Sequence, residues 1–298
     1  MIKSPQAFRT SLNDRIKTQA RARKVPSADL LEQVFFHRLL ARVSDHDQQG
    51  WMLKGGQALL VRYTDVRHSR DVDLLYRHIG SELDEAVAAL RAAAAIPLDD
   101  HIRFEYLDTR TTGEPGHALC VRFTTYIGNK KMSVLSVDVV VGQVPLGRPV
   151  TATVRPVVLL EGIDIGPQIQ LYPIIDHLAD KICAMHERHA GAPSSRYRDL
   201  VDMLVIIQRE EIDGRELHTA LHHQVRVRRS RGTDIILPTR FQAPAIWGPG
   251  YRQLAEGVPG LDELRTLAQA LPLACSFIDP LLADTPPGQW SPTSLSWD

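Results

Sequence analysis

The sequence predicts an α/β protein of the α+β kind, in which a mixed sheet flanked by helices is followed by a helical half. Up to about residue 141, short apolar segments bounded by turn-forming residues alternate with helical patterns. Beyond about residue 165 the apolar residues recur at helical spacing. The chain has 298 residues, of which 44% are apolar, so it can bury a large core. We predict two domains, 1–165 and 166–298.

The first domain is predicted to contain strands and helices in alternation. The predicted helices are 5–23, one that begins with Ser27 as its N-cap, one that begins near Gly56, and 81–95. The predicted strands are 51–54, 71–76, 101–107, 118–127 and 132–141, followed by a connector with some strand at 142–167. In the second domain we expect helices at 174–189 and 197–208. The tail from Pro280 has no helical period, and we predict that it is partly extended or mobile.

Composition excludes several classes of protein. The formal net charge is zero, so global charge does not point to nucleic acid. The three cysteines lack the spacing of a disulfide framework or a thiolate zinc site, which favours a reducing cytoplasm. The start of the chain lacks an apolar signal core, and the longest apolar tract, 86–98, is too short to span a membrane. We therefore expect a cytoplasmic protein without a membrane span.

A Lys54-Gly55-Gly56 motif precedes one predicted helix. Glycines at a helix start leave backbone N–H groups uncovered, and the helix dipole there favours negative charge. This motif predicts a phosphate-binding turn.

Two carboxylates follow in the next strand. Asp71 and Asp73 alternate along it and can converge on one divalent cation, while Val72 and Leu74 pack into the core. The alternative is the solvent-facing side of an amphipathic strand. Asp138 is a third candidate, because a charge in an otherwise apolar strand is costly to bury without a partner or a metal. Its alternative is an edge position facing water.

The helical half carries a second charged group. Lys181 lies beside an apolar helix face, so its ammonium could reach into a cleft and contact phosphate oxygens. In the next helix Arg198 and Asp202 are four residues apart and can pair, while Asp199 could hold Lys181 or Arg67 in place. The alternative is an ordinary salt bridge between helices.

Basic residues are concentrated in residues 1–24 and in a later cluster. The later cluster consists of Arg226, Arg228, Arg229 and Arg231. We interpret it as a candidate RNA-backbone contact, with a solvated surface as the alternative.

These motifs, taken in order, resemble the AbiEii/AbiGii family of nucleotidyltransferase toxins from type IV and related toxin–antitoxin modules. The likeness covers about residues 50–205, from Leu-Lys-Gly-Gly through Arg-x-Ser-x-Asp-x-Asp-Leu and Asp-x-Leu-Ala-Asp-Lys to Arg-Asp-Leu-x-Asp. It implies a polymerase-β-like nucleotidyltransferase core and a helical C-terminal lobe facing it across a cleft. It also implies Mg²⁺, a nucleoside triphosphate (NTP) substrate, a cognate antitoxin, and transfer of nucleotides to an RNA acceptor. For mycobacterial members that acceptor is the 3′ end of tRNA, so translation and growth would stop.

The resemblance also implies roles for individual residues. The metal carboxylates would be Asp71 and Asp73, and Ser69 would be a nucleotide-side hydroxyl. From the residues themselves we add Asp138 as a third metal ligand and predict further nucleotide contacts, namely Lys54, Gly55, Gly56 and Arg67. In the helical lobe, Lys181 would contact phosphate and Asp199 would be the acid of the Arg-Asp motif.

One departure and several alternatives remain. The wider superfamily has Gly-Ser where this chain has Gly55-Gly56, so Ser69 or backbone N–H groups would replace a phosphate-binding hydroxyl. The acceptor could instead be a small molecule or a protein side chain, or the chain could be a catalytically silent nucleotide-binding module. A zinc hydrolase built on His186 and His189 is disfavoured, because their spacing is not the i, i+4 pair that such a site needs. The sequence does not predict the preferred nucleotide or the oligomeric state.

Overall fold

A computed structural model gives the fold and describes residues 4–63, 66, 67, 69, 72–78, 80–112, 118–161, 163, 165–189 and 192–298. The predicted α/β class is confirmed. Contacts divide the chain into two compact units. The first comprises Met1–Arg62, His68–Val144 and Pro149–Tyr172, and the second comprises Tyr63–Arg67, Pro145–Arg148 and Pro173–Asp298. The proposed domain boundary near residue 165 stays a prediction.

The first unit contains four helices and seven strands within the described residues. The helices are α1 (Pro5–Arg23), α2 (Ser27–Asp47), α3 (Gly55–Arg62) and α4 (Leu83–Ala94). The strands are β1 (Trp51–Lys54), β2 (Asp73–Tyr76), β3 (Ile102–Thr111), β4 (Ala118–Ile127), β5 (Lys130–Val140), β6 (Val150–Thr153) and β7 (Gln168–Leu171).

The start of α2 differs from the prediction by one residue. Pro26 is the N-cap, with extended backbone at φ −60° and ψ 137°, and Ser27 is already helical. The prediction that Ser27 caps this helix is therefore wrong. Proline at this position supplies no side-chain acceptor, so α2 begins without a side-chain cap hydrogen bond.

The seven strands form one mixed sheet in the order β3-β4-β5-β2-β1-β7-β6. Strand β2 pairs antiparallel with β1 and parallel with β5, and β1 pairs parallel with β7. The mixed sheet predicted from the sequence is confirmed. The short strand β2 thus lies in the interior of the sheet, between β1 and β5.

One face of this sheet packs against helices α1, α2 and α4. Leu53, Leu74 and Val139 lie on that face and belong to the main core, together with apolar residues of the three helices. Their neighbours along the strands project to the opposite face, where Met52, Leu75 and Tyr172 form a small buried cluster of their own. The expected burial of Val72 and Leu74 is confirmed, since both are at most 1% exposed.

The second unit is mainly helical within the described residues. Its helices are α5 (Ile174–His186), α6 (Tyr197–Ile207), α7 (Gly214–Ser230), α8 (Trp247–Ala255) and α9 (Leu267–Leu281). Its short strands are β8 (Arg188–His189), β9 (Ala192–Pro193), β10 (Ile212–Asp213), β11 (Gln289–Ser291) and β12 (Ser296–Trp297). Helix α5 stops at His186, three residues before the predicted end, because Glu187 adopts extended backbone and bridges to Ile235. No helix in the described ranges is long and apolar enough to cross a membrane.

The C-terminal tail is held by aromatic packing. Strands β10, β11 and β12 form a three-stranded sheet, so the extended structure predicted for part of the tail is confirmed. Trp290 is fully buried, donates its indole N–H to the Ile207 carbonyl at 2.7 Å, and packs edge-on against Phe277. Trp297 stacks on the same phenylalanine ring. The tryptophans supply the apolar area that orders a segment without helical periodicity.

We predict that Trp290→Ala destabilises the protein by about 3–5 kcal/mol, because it removes a buried indole and leaves a cavity beside Phe277. Urea denaturation measures the change. Ser294→Ala, at an exposed position of the same tail, is the control and should change stability by no more than about 0.5 kcal/mol. Equal unfolding midpoints for wild type and Trp290→Ala would show that the tail does not contribute to the fold.

Candidate active site

Three charged residues lie in one row across the first sheet. Lys54 of β1 is the register partner of Asp73 of β2, and Asp73 is the register partner of Asp138 of β5. Register partners project from the same face, which here is the face opposite the main core. The two carboxylates are therefore neighbours. Because β5 lies between β4 and β2, the alternative that Asp138 belongs to an edge strand is wrong.

Gly55 lies directly against Asp73. Its φ is +64°, in the left-handed region that favours glycine, and a Cβ at this position would lie 1.9 Å from the Asp73 Oδ2 atom. Helix α3 begins at this residue, as the Lys-Gly-Gly motif predicts. Glycine is thus required both by the backbone conformation and by the close approach of the carboxylate. The turn brings backbone N–H groups at a helix start next to an anionic site.

The Lys54 side chain is buried and held from two directions. Only 9% of the residue is exposed. Its Nζ atom lies 4.2 Å from the centroid of the Tyr172 ring and donates to the Gln143 side-chain oxygen. A desolvated ammonium over an aromatic ring is stabilised by the ring quadrupole. Its positive charge is therefore fixed in the strand that neighbours Asp73. Its assignment to nucleotide binding stays a prediction.

Cys120 of β4 continues the row as the register partner of Asp138. Burial raises the pKa of its thiol, and the negative charge of Asp138 raises it further. The residue beside Asp138 is accordingly a neutral thiol at physiological pH. No local signal predicted that this cysteine lies near the carboxylates, since the proximity depends on the pairing of β4 with β5.

In the segment that precedes β2, the structure describes two of the predicted site residues, Arg67 and Ser69. Ser69 is 6% exposed, and its carbonyl accepts a hydrogen bond of 2.5 Å from the Gln57 side-chain amide. Asp71, predicted to share a metal with Asp73, lies outside the described residues. Within the described ranges no three His, Cys, Asp or Glu side chains gather as metal ligands. The described oxygen donors for a cation are therefore Asp73 and Asp138, and a pair of carboxylates suits a hard divalent cation that keeps other ligands.

A separate buried charge cluster lies in the second unit. The Nζ atom of Lys181 on α5 donates to Asp199 at 3.0 Å and to Asp202 at 2.6 Å, both on α6. Arg67 donates to both carboxylate oxygens of Asp202 at 2.7 Å. We define Arg67, Lys181, Asp199 and Asp202 as the buried charge cluster; its formal charges cancel. The expectation that Asp199 holds Lys181 is confirmed.

The pKa shifts in this cluster follow from its pairings. Burial acts to raise the pKa of Asp202, but the charges of Lys181 and Arg67 lower it below its usual range. Burial likewise acts to lower the pKa of Lys181, but the charges of Asp202 and Asp199 raise it. Lys181 and Asp202 are therefore both ionised near neutral pH. Asp202, which the sequence suggested as a partner of Arg198, instead bridges Lys181 and Arg67; only the three-dimensional fold shows this.

The arginines of the later basic cluster differ in how exposed they are and in whether they already form ion pairs. Arg228 forms ion pairs with Glu187 and Asp180, and its side chain is 22% exposed. Arg226 and Arg229 are exposed, and the Arg229 guanidinium donates to the Ile235 carbonyl at 3.2 Å. A role of these arginines in RNA binding stays a prediction. The structure shows that Arg228 neutralises carboxylates within its own unit.

We predict that Asp202→Asn lowers the free energy of unfolding at pH 7 by about 3–5 kcal/mol, because Lys181 and Arg67 lose a shared buried partner. The folded-state pKa of Asp202 is lowered, so its contribution is present above the unfolded pKa and is lost as the pH falls through the folded value. The stability difference between wild type and variant should therefore shrink below about pH 4. Urea denaturation from pH 7 to pH 3 measures it, and a difference independent of pH would contradict the pairing.

Comparisons with known proteins identify the family of the chain. The model of the nucleotidyl transferase AbiEii toxin family, of type IV toxin–antitoxin systems, matches residues 38–272. Among solved structures, MenT4, a nucleotidyltransferase toxin from Mycobacterium tuberculosis H37Rv, is 18% identical, with 70% of each chain covered and a TM-score of 0.49. JHP933 from Helicobacter pylori is 17% identical, with 67% of this chain and 77% of that chain covered and a TM-score of 0.39. No curated protein matches the sequence. The family model spans most of the chain, and the protein therefore belongs to the AbiEii family of nucleotidyltransferase toxins and is a nucleotidyltransferase.

Proposed function

We propose that the protein transfers nucleotides from an NTP to an RNA acceptor in a Mg²⁺-dependent reaction, and that the acceptor is the 3′ end of tRNA. The observation that supports this most directly is the pairing of Asp73 with Asp138 beside the glycine turn at Gly55. Two neighbouring carboxylates next to a helix start combine a cation site with a phosphate site. Nucleotidyl transfer requires both.

The donor set fits Mg²⁺. This ion prefers oxygen ligands and is commonly bound by one or two carboxylates together with substrate phosphates and water. Asp73 and Asp138 would hold it, and Asp71 would join them according to the sequence prediction. When bound, the ion would neutralise charge on the triphosphate and favour departure of pyrophosphate.

The protein's own groups would bind and orient the substrates. The backbone N–H groups at Gly55 and Gly56 would bind phosphate oxygens, with Lys54 and Ser69 as further contacts. The acceptor hydroxyl oxygen forms a bond to the α-phosphorus, the bond from that phosphorus to the pyrophosphate oxygen breaks, and Asp138 takes the hydroxyl proton. Lys181 would stabilise phosphate charge, and Asp199 would keep Lys181 oriented.

If tRNA is the acceptor, growth inhibition would follow from the change at its 3′ end. A tRNA with added nucleotides at its 3′ end presents the wrong terminus for aminoacylation, so translation would stop in the cytoplasm until a cognate antitoxin counteracts the enzyme. Arg226, Arg229 and Arg231 are the members of the arginine cluster that we assign to RNA phosphates. We assign Arg228 a smaller share, because its charge is already compensated by Glu187 and Asp180.

The proposal is tested by incubating the protein with total tRNA and each of the four labelled NTPs in turn, with and without Mg²⁺. We expect Mg²⁺-dependent label at the tRNA 3′ end, and removal of the 3′-hydroxyl by periodate should abolish it. Label on protein or on a small molecule instead would establish a different acceptor. No NTP consumption under any condition would contradict enzymatic transfer by the purified chain.

The carboxylate pair gives a direct prediction. Asp73→Asn and Asp138→Asn should each lower transfer by about 100-fold or more, because each replaces a charged cation ligand or proton acceptor by a neutral amide. Initial rates at saturating NTP measure the loss. Asp45→Asn, at an exposed position of α2, is the control and should retain wild-type activity. Full activity in both site variants would exclude this pair.

The glycine turn gives a second prediction. Gly55→Ala should abolish transfer, because a Cβ would displace the Asp73 carboxylate and the backbone at φ +64° disfavours alanine. Gly248→Ala is the control, since a Cβ there meets nothing described within 4 Å. Transfer rates are compared at equal folded fraction by circular dichroism. An active Gly55→Ala enzyme would mean that Asp73 tolerates displacement and does not form the site.

A test of Lys181 needs a variant that separates its effect on nucleotide transfer from its effect on the stability of the protein. Lys181→Met leaves buried carboxylates short of a cation and should cost about 3–5 kcal/mol. The double variant Lys181→Met/Asp202→Asn removes one charge of each sign and so restores the charge balance, and Asp199 keeps its ion pair with Arg196. We expect it to recover stability relative to Lys181→Met while remaining inactive, whereas Asp202→Asn alone should retain more activity. Denaturation and transfer rates decide, and recovery of both stability and activity would make Lys181 purely structural.

A further inference from the structure

Gln57 lies in the first turn of α3, two residues after Gly55. Its side chain is almost completely buried, at 2% exposure, and its Nε2 atom donates to the Ser69 carbonyl at 2.5 Å. Ser69 is itself 6% exposed. The hydrogen bond thus links the helix that follows the Gly-Gly turn to the segment that leads into β2. Both partners belong to the first unit.

The oxygen atom of the same Gln57 amide is in an unfavourable environment. The Oε1 atom of Gln57 is buried and has no hydrogen-bond donor among the residues that the structure describes. Leaving a buried acceptor unpaired carries a desolvation cost, which offsets what a neutral hydrogen bond contributes. A methionine has a similar length and no such cost. Stability alone therefore gives little reason for glutamine at this buried position.

The position of the hydrogen bond suggests a functional reason. It joins two elements that are assigned to the triphosphate, the start of α3 and Ser69. We infer that Gln57 is a positioning residue, which fixes Ser69 relative to the Gly55-Gly56 turn so that both meet the phosphates of one NTP. This inference rests on the proposed function, because it assigns Gln57 to the NTP side of the same site. Gln57 itself touches no reacting atom.

Without the Gln57 amide, the Ser69 carbonyl would lose the hydrogen bond that links it to the first turn of α3, so the position of Ser69 relative to the Gly55-Gly56 turn would be less well defined. The expected consequence is weaker NTP binding, with a smaller effect on the chemical step, because Asp73 and Asp138 are held by the sheet register.

The test compares Gln57→Met and Gln57→Glu with the control Gln224→Met, a matched substitution of a buried glutamine on α7 in the second unit. Transfer kinetics are measured with ATP, CTP, GTP and UTP and Mg²⁺, and melting temperatures are recorded in parallel. We expect Gln57→Met to raise KM for the NTP about tenfold, as befits one lost hydrogen bond, with a small change in kcat and in melting temperature. Gln57→Glu keeps the size but turns an acceptor toward the Ser69 carbonyl, so its KM should rise at least as much.

Gln224→Met should leave KM for the NTP unchanged. Wild-type KM in both Gln57 variants would overturn the inference while leaving the proposed function intact. Loss of activity only in proportion to the folded fraction would also overturn it, since Gln57 would then be structural. If wild type neither binds nor transfers any of the four NTPs, by calorimetry and by labelled transfer, the proposed function fails and the inference falls with it.

Discussion

Strand β2 is apolar on both faces except where it carries Asp73, and this constraint fixes the candidate site. Leu74 packs in the main core, and Leu75 packs in the small cluster with Met52 and Tyr172 on the other face. A slip of one residue against β1 or β5 would send Leu74 to the polar face and Asp73 into the core. Burying an unpaired carboxylate costs far more than the strand could recover. Hydrophobic packing therefore determines that Asp73 faces Asp138.

Several buried charges in this protein are compensated by neighbouring charges of opposite sign. The buried charge cluster joins two cations and two carboxylates, and Arg228 is compensated by Glu187 and Asp180. Such groups are stable only as complete sets, because removing one member leaves an uncompensated buried charge. In the same way, Lys54 places a positive charge in the strand next to the Asp73 carboxylate. A catalytic interpretation of any single lysine or arginine in this protein therefore has to account for the partner that already neutralises it.

The sequence predicted most of the elements of the first unit and the glycine turn, because both depend on local signals, whereas α7, α8 and α9 of the second unit were not predicted. The β-rich composition of 118–127 located β4, and the Lys-Gly-Gly motif located the start of α3. Ser27 was assigned as a cap from its side chain alone, whereas the extended backbone of Pro26 determines where α2 begins. The tail was predicted to be partly extended or mobile because of its prolines, but its structure depends on the packing of Trp290 against Phe277. The neighbours of Asp138 and of Asp202 depend on long-range pairing and could not be read from spacing.

The proposed site requires that Asp73 and Asp138 bind one divalent cation together. Mn²⁺ binding measured by electron paramagnetic resonance, in the presence of an NTP, tests it through a double-mutant cycle of Asp73→Asn and Asp138→Asn. If the two carboxylates share the ion, each single variant should weaken binding strongly and the double variant should be little worse than either one. Independent, additive losses, or Mn²⁺ affinity unchanged in both single variants, would contradict a shared site and with it the account of the sheet as the scaffold of the reaction.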